Sequence, residues 1–438
     1  MRRTALNKDG RWIMANTSSD SELHKSTDAP STDLSTDLST EVVVVGGGLA
    51  GLSLACALGT AGVPTLCVDR DTPEAQSVEG FDLRTTALAH CAKQVLAGAG
   101  VWPILAGDAQ PINDIRVVER GSPLYVHYDH RAIGPEPLGY VLDNAVIRAG
   151  LFRRTAELEA VTHLAPAAVR SIERGALGAR VVLTDGRRIG ARLVVGADGR
   201  GSIARESAGI ALRRRAYDQT ALICNIGHEY PHNGLAVESF TPGGPFAVLP
   251  LTGNRSSIVW SERADRAKLY AKLPDDAFTA ELQRRVGEFL GKVHLVSGRA
   301  AYPLSIMLAD RMIDRRLALI GETIHAIHPI AGQGLNLSLR DVAALAEVVV
   351  DQYRVGLDVG AEDVLSRYQR WRRFDTLLLA GVCDSLVHLF SNDLPPLRVA
   401  RQLGLGAVNR MPALKGFFMR HAMGMVGHLP RLIAGTPL

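Results

Sequence analysis

Cysteine is scarce: Cys56, Cys67, Cys91, Cys224 and Cys383 are the five in 438 residues. Their number is odd and none forms a Cys-x-x-Cys pair or a zinc-ligand spacing, which argues against a disulfide framework or structural zinc and points to a reduced, cytoplasmic setting. Long apolar runs are missing too. No stretch approaches the roughly 18 residues that would span a bilayer, and no secretory apolar segment follows the start, so membrane contact is expected to be peripheral. Arg2 and Arg3 precede Asp9, Asp20 and Glu22, unlike a transit or twin-arginine signal, and Met14 offers an alternative start. A net charge of +4 is too small and dispersed for the cationic stripe that nucleic acid requires.

What is present is a chain with 47% hydrophobic and 21% charged residues, enough to bury a large core. Its 43 glycines follow no collagen-like period, which suits an α/β protein with many tight turns. Residues 15–40 are rich in Ser, Thr and Asp, with Ser-Thr-Asp recurring at Ser26, Ser31 and Ser35, so residues 1–40 are expected to be a disordered tail. The pattern changes at Glu41. Val42 to Val45 is a β-branched run suited to a strand buried on both faces. A helical stretch from Leu49 to Ala61 and a second strand from Pro64 to Val68 complete a strand-helix-strand unit. Arg180–Thr184 and Ile189–Val195 flank Asp185-Gly186 and read as a hairpin. Between about 212 and 300, the runs Ala221–Ile226, Ala236–Phe240, Phe246–Leu251 and Ser257–Trp260 predict a mainly antiparallel second domain. Residues 338–353 and 361–438 are helical in pattern, broken by Pro395-Pro396, Pro412 and Pro430.

Three segments carry chemistry. Gly46-Gly47-Gly48-Leu49-Ala50-Gly51 fills a Gly-x-Gly-x-x-Gly pattern between a strand and a helix, where glycines permit a tight turn, approach to a pyrophosphate and close helix packing. Asp69 ends the next strand, 18 residues after Gly51, where a carboxylate accepts the ribose hydroxyls of an adenosine; Arg70 follows it. The second segment, Val194-Val195-Gly196-Ala197-Asp198-Gly199-Arg200-Gly201-Ser202, suits either a functional turn or simple helix capping by Asp198. The third is Leu317 to Ile320, then Gly321-Glu322-Thr323, then His325-Ala326-Ile327-His328-Pro329-Ile330-Ala331-Gly332-Gln333-Gly334-Leu335-Asn336. A glycine-rich turn opening a helix near Leu335 sets N–H groups and a positive dipole end toward a group that becomes anionic, as reduced flavin does. His325 and His328 as metal ligands lack a third partner nearby.

These segments resemble the flavoprotein aromatic hydroxylases typified by p-hydroxybenzoate hydroxylase, and more closely the ubiquinone-biosynthesis hydroxylase family. His328 to Leu337 with Arg340-Asp341-Val342 is similar to that family's flavin-loop signature. Phe81 to Leu88, Phe240 to Pro245, Leu249-Pro250-Leu251 and the ending Met423-Gly424 to Pro437-Leu438 also resemble it. The resemblance spans about 41 to 438. It implies an α/β fold in which a Rossmann-like FAD-binding domain (41–112, 138–211 and 301–355) interleaves with a mainly antiparallel β-sheet substrate domain (113–137 and 212–300), followed by a C-terminal helical region, 356–438.

Carried over, the resemblance implies that Gly46, Gly48, Leu49, Ala50, Gly51, Asp69 and Arg70 surround the adenosine end of FAD. Arg84 would neutralise the pyrophosphate, and Asp198 would stand in the same region. Gly321, Glu322, Pro329, Gly332, Gln333, Gly334, Leu335 and Asn336 would border the rest of the flavin, with Pro329 beside the reactive carbon and His328 in the flavin environment. Glu322 departs from the usual Gly-Asp. The implied activity is NAD(P)H-dependent reduction of FAD, with NAD(P)H visiting transiently or an external reductant in its place. O₂ then adds as co-substrate to give a flavin C4a-hydroperoxide that hydroxylates the ring of a polyprenyl phenol in ubiquinone biosynthesis. Other proteins of that pathway are implied as partners, and the inner membrane surface as a place of contact. An FAD-dependent isoprenoid reductase and a non-catalytic flavin-binding assembly protein stay open as alternatives. A flavin-dependent halogenase is disfavoured because no Trp-x-Trp pair is present.

From Leu394 onward, Arg398, Arg401, Arg410, Lys415, Arg420 and Arg431 occur with no Asp or Glu, interleaved with Leu394, Leu397, Leu403, Leu405, Phe417, Phe418 and Met419. This suits an anionic membrane surface or a packed helix with solvated charges. Trp260, His228, His232, Glu238 and Phe240 are candidates for the pocket lining, and spacing alone singles out no catalytic base.

Overall fold

The computed structural model describes residues 37–390, 401, 404 and 406–438. The expected tail falls outside these residues up to position 36. The first strand is Leu38–Val45, starting three residues before the expected Glu41, because Leu38, Ser39 and Thr40 pair in parallel with Ile189, Gly190 and Ala191. Branching at Cβ favours extended backbone, and Val42, Val43, Val44 and Val45 are buried as a strand with covered faces requires.

Five parallel strands lie side by side in the order Leu317–Leu319, Arg188–Gly196, Leu38–Val45, Thr65–Val68 and Val161–Leu164. The predicted hairpin is present as Ala179–Leu183 paired antiparallel with Arg188–Gly196, its turn held by Gly186 at φ +95°. Helices Leu49–Thr60 and Gln333–Arg354 pack together against this sheet. The latter begins at Gln333, earlier than its periodicity suggested. From Leu337 to Val350 every residue but Glu347 is buried, the charged Arg340 and Asp341 included, so the helix runs inside the molecule.

A second, nine-stranded sheet contains Ala300–Ala309, Leu212–His228, Arg255–Arg263, Gly244–Leu251, Leu235–Thr241, Asp114–Glu119 and Tyr125–Asp129 in that order. It is antiparallel except where Leu235–Thr241 runs parallel to Asp114–Glu119. One face buries Trp260, Phe246, Phe278 and Leu282 in a core of its own. The opposite face looks toward a three-stranded sheet of Gln110–Ile112, Gly139–Asp143 and Thr85–Ala89, and toward the loop around Ile330. Helix Glu362–Phe390 runs beside that loop through Cys383 and Phe390, and Pro412–Ala422 forms a further helix.

Candidate active site

The three glycine-acid turns leave the carboxyl ends of three adjacent parallel strands, the place where open α/β sheets bind ligands. Gly46 has φ +107°, and a Cβ there would lie 2.5 Å from the Ala197 carbonyl oxygen. At Gly51 a Cβ would come within 1.9 Å of the Gly46 carbonyl oxygen. These two glycines therefore let the first turn close on the second strand end and on its own helix. Gly48 differs: no protein atom lies within 4 Å of where its Cβ would be. It is the N-cap of the helix that starts with Leu49 and Ala50, and no side chain caps that helix. The open cradle and the helix dipole suit an anionic group.

Asp69 is buried and leans over this turn, so that a Cβ on Gly47 would meet its Oδ2 at 2.4 Å. Its carboxylate accepts from the Asp71 N–H at 3.1 Å and from the Gln76 amide at 3.1 Å. Arg70 points outward and pairs with Asp71. Arg84 is held by Asp82 through two hydrogen bonds of 2.7 and 2.8 Å. Asp82 also accepts from Arg148 at 3.2 Å and from Asn144 at 3.1 Å. Burial alone would raise this carboxyl, but Arg84 and Asn144 hold it down at about 2. Asp82 was given no role from sequence, although its place two residues before Arg84 was a usable signal.

Ser202 caps the short helix Ile203–Ser207 by accepting the Arg205 N–H at 2.9 Å, and Asp198 braces that cap. Oδ1 accepts from the Ser202 hydroxyl at 2.5 Å and Oδ2 from the Ala204 N–H at 3.2 Å, while burial pushes the carboxyl up. Gly321 adopts φ +64° and lies between the two helix starts, its would-be Cβ 3.3 Å from Ala50 Cβ and 3.3 Å from Ser338 Oγ. Glu322 turns away to the surface, where Arg200 donates to it at 3.2 and 3.3 Å.

Behind Gly321 is a buried charge network that periodicity does not reveal. His325 Nε2 lies 2.6 Å from Asp341 Oδ2, and Arg372 Nε donates to Asp341 Oδ1 at 2.8 Å. Burial opposes ionisation of Asp341, yet His325 and Arg372 keep its carboxyl lowered. The Gly321 N–H donates to the same carboxylate at 3.2 Å, which ties the third turn to the helix carrying Asp341. His328 is buried separately: Ile330 N–H donates to Nδ1 at 3.2 Å, and Nε2 faces the Gln219 Oε1 at 3.2 Å. With Nδ1 accepting, Nε2 carries the hydrogen, and burial pushes the ring down to about 4, so it stays neutral. Among the described residues no cluster of three or more His, Cys, Asp or Glu is arranged to hold a metal.

Pro329 is half-buried, and its carbonyl accepts the Gly332 N–H at 2.9 Å. Gly332, at φ +64°, caps a helix whose first turn is Gln333, Gly334, Leu335 and Asn336 and which has no side-chain cap. The Asn336 amide donates to the carbonyls of Ala87 and Gly332 at 2.9 Å each, and its oxygen accepts from Ala89 N–H at 2.8 Å. Asn336 is therefore a clamp between the loop and the Thr85–Ala89 strand. Gly334 is exposed with open space about it. A dinucleotide carrying a ring that becomes anionic fits these parts: an open phosphate cradle at Gly48, a carboxylate at Asp69, a guanidinium at Arg84 and an uncapped helix start behind the loop.

Four of the five pocket candidates are otherwise occupied. Trp260 lies in the sheet's own core with Arg285 over its ring at 3.8 Å. His228 bonds the Tyr230 carbonyl and Ser256, and His232 donates to the Leu251 carbonyl. Phe240 stacks on Phe390 with centroids 3.9 Å apart.

Residues 39–374 match the FAD binding domain family. The ubiquinone hydroxylase UbiL of Rhodospirillum rubrum is 48% identical over 407 residues, covering 92% of this chain and 95% of that protein. The 3-demethoxyubiquinol 3-hydroxylase of Escherichia coli is 32% identical over 392 residues, covering 89% of this chain and all (100%) of that one. In fold, the chain is similar to p-nitrophenol 4-monooxygenase PnpA from Pseudomonas putida, with a TM-score of 0.74 and 18% identity over 90% of this chain and 100% of that one.

Proposed function

Because this chain belongs to the FAD-dependent hydroxylases of ubiquinone biosynthesis, we propose that its substrate is a polyprenyl phenol, which it hydroxylates on the aromatic ring. The observation that carries this reading is the position of Gly321, wedged between the starts of two uncapped helices, so that a phosphate-binding end and a ring-binding end adjoin. FAD, when bound, supplies the two-electron chemistry with NAD(P)H and O₂. The residues of the chain bind, orient and exclude water.

Gly46, Gly48 and Gly51, with the N–H groups opening the Leu49–Thr60 helix, would hold the pyrophosphate of FAD. Asp69, held by Gln76 and the Asp71 N–H, would accept the ribose hydroxyls of FAD. Asp82 aims Arg84 at the phosphates and prevents its swinging into solvent. The dipole of the Gln333–Arg354 helix favours negative charge on the ring, while Pro329, Ile327 and Ile330 keep water from it. Neutral His328 fixes the turn that presents Pro329, through the Ile330 amide and Gln219.

The surface of the C-terminal helices suits a substrate dissolved in a membrane. Arg401 is buried against Glu119, Arg431 pairs with Glu347 and Asp351, and Arg398 lies outside the described residues, which leaves Arg410, Lys415 and Arg420 of the six basic residues. They accompany exposed Met411, Phe417, Phe418, Met425 and Val426, whereas Met419 is buried. Leu394, Leu397, Leu403 and Leu405 also lie outside the described residues. No described helix is long and apolar enough to cross a bilayer, so we infer contact through this basic-aromatic surface.

The test is the visible spectrum of the purified protein, followed by anaerobic NADPH or NADH with and without a short-tailed polyprenyl phenol, then air and mass analysis. Flavin bleaching hastened by the phenol and a product heavier by one oxygen are expected. A reduced double bond with no oxygen transfer would replace this reading with an isoprenoid reductase.

A further inference from the structure

On the strand Leu235–Thr241, Ala236, Glu238 and Phe240 share the face turned toward the glycine-rich loop, since alternate residues of a strand share a side. Ala236 packs in a cluster with Val141 and Met419 that Ala87 borders, and Phe240 packs with Ile330 and Phe390. Both clusters reach the loop: Ala87 stands against Gly332, and Ile330 follows Pro329. Glu238 lies between them, with Val117 and Ala247 as its cross-strand neighbours.

Among the described residues no hydrogen bond or ion pair reaches the Glu238 carboxylate, and burial is the only influence on its charge. The side chain lies deep in the molecule yet retains accessible surface, as a group lining an internal space does and one sealed in a core does not. A deep carboxylate without a partner is costly in an apolar wall, and a ligand hydroxyl would relieve that cost.

We propose that Glu238 lines the substrate cavity and accepts the proton of the phenol hydroxyl, so that the ring reacts as the phenolate. This rests on the aromatic hydroxylation argued above. The phenol O–H bond breaks, its electron pair stays on oxygen and the proton passes to the Glu238 carboxylate. One atom of O₂ then joins a ring carbon as a hydroxyl and the other leaves as water, with the hydride of NAD(P)H supplying two electrons and solvent supplying two protons. The substituted carbon loses its hydrogen as a proton to solvent, and Glu238 returns its proton to the ring oxygen as aromaticity is restored.

Burial raises the Glu238 carboxyl to about 7, close to where a proton acceptor serves near neutrality. The groups on the elements around it do not compete. His328 is held neutral by burial, burial raises Cys383 to about 11 and also raises Tyr128, Glu119 is paired with Arg401, and Asp384 is paired with Arg215.

The experiment compares wild-type holoenzyme with Glu238→Gln and Glu238→Asp, using the short-tailed polyprenyl phenol. In wild type, the rate of oxygenated-product formation at saturating phenol should rise with pH to a plateau as the Glu238 carboxyl ionises, with its half-point near about 7. In Glu238→Gln this rise should be absent, and turnover to oxygenated product should fall at least about 100-fold while the phenol still hastens flavin bleaching. Glu238→Asp should recover part of both signals. A wild-type pH profile and turnover in Glu238→Gln would overturn the proposal. If that variant loses flavin, the wild-type profile decides: a rate that stays flat from about pH 6 to about pH 8 overturns it. Phenol-hastened flavin bleaching in a wild-type protein that yields no oxygenated product at any pH would overturn the hydroxylase reading itself.

Discussion

His328 and Gln219 meet at 3.2 Å, and because Ile330 already donates to the other ring nitrogen, this contact sets which tautomer the histidine adopts. The ring's folded-state pKa lies at about 4, below its ordinary 6.5. The unfolded chain therefore takes up this proton first. Stability from neutral His328 is complete above about 6.5 and is lost as pH falls toward 4. Urea unfolding of wild type and His328→Gln at pH 7 and pH 5 should differ, with wild type losing about 2 kcal/mol more on acidification. Equal losses would show that the ring is not held neutral.

Two glycines three residues apart should respond in opposite ways to the same methyl group. Gly51→Ala places a Cβ 1.9 Å from a backbone oxygen and should lower the melting temperature of the apoprotein. Gly48→Ala meets nothing within 4 Å at φ −74°, so the apoprotein should melt as wild type does while FAD affinity drops. Flavin absorbance and a thermal melt of both apoproteins check this pair, and an unchanged FAD affinity in Gly48→Ala would count against the phosphate cradle.

Asp82→Asn leaves the buried Arg148 and the half-exposed Arg84 without their carboxylate. Breaking a buried pair on one side costs roughly 3 kcal/mol, so chemical denaturation should show a loss of that order. FAD should also dissociate more readily, because Arg84 is no longer aimed. The Asp82 contribution is present above about 3.8 and disappears as pH falls through about 2. The wild-type advantage over the variant should therefore persist at pH 5, and its disappearance there would contradict the assignment.

Flotation with anionic liposomes at low salt should carry the wild-type protein upward. Lys415→Glu with Arg420→Glu should weaken this by about 2 kcal/mol or more, roughly 1 kcal/mol per basic residue removed. Neutral liposomes floating the protein equally well would exclude the electrostatic part of the contact.

The parallel core and its first turn were legible because their causes are local. A β-branched run, a glycine at positive φ and a carboxylate at the next strand end act within about 30 residues. Asp198 reads evenly as a functional turn or a cap; in the fold Ser202 caps the short helix Ile203–Ser207, and Asp198 bonds the Ser202 hydroxyl and the Ala204 N–H. Glu322 pairs with Arg200, 122 residues away in the chain, a contact that its place after Gly321 does not reveal.

The sequence alone determined the first strand-helix-strand unit, the hairpin around Asp185-Gly186, the identity of the cofactor class and the resemblance that names the chemistry. Those follow from short-range sterics and from motifs whose residues are neighbours in the chain. Tertiary structure decided which side chains are free. Asn336 clamps Ala89, 247 positions away in the chain, Asp341 draws in His325 and Arg372, and four of five candidate pocket residues are packed or bonded while no described residue bonds the Glu238 carboxylate. Polarity is written in each residue, but whether a polar group finds a partner depends on what folding brings within about 3 Å.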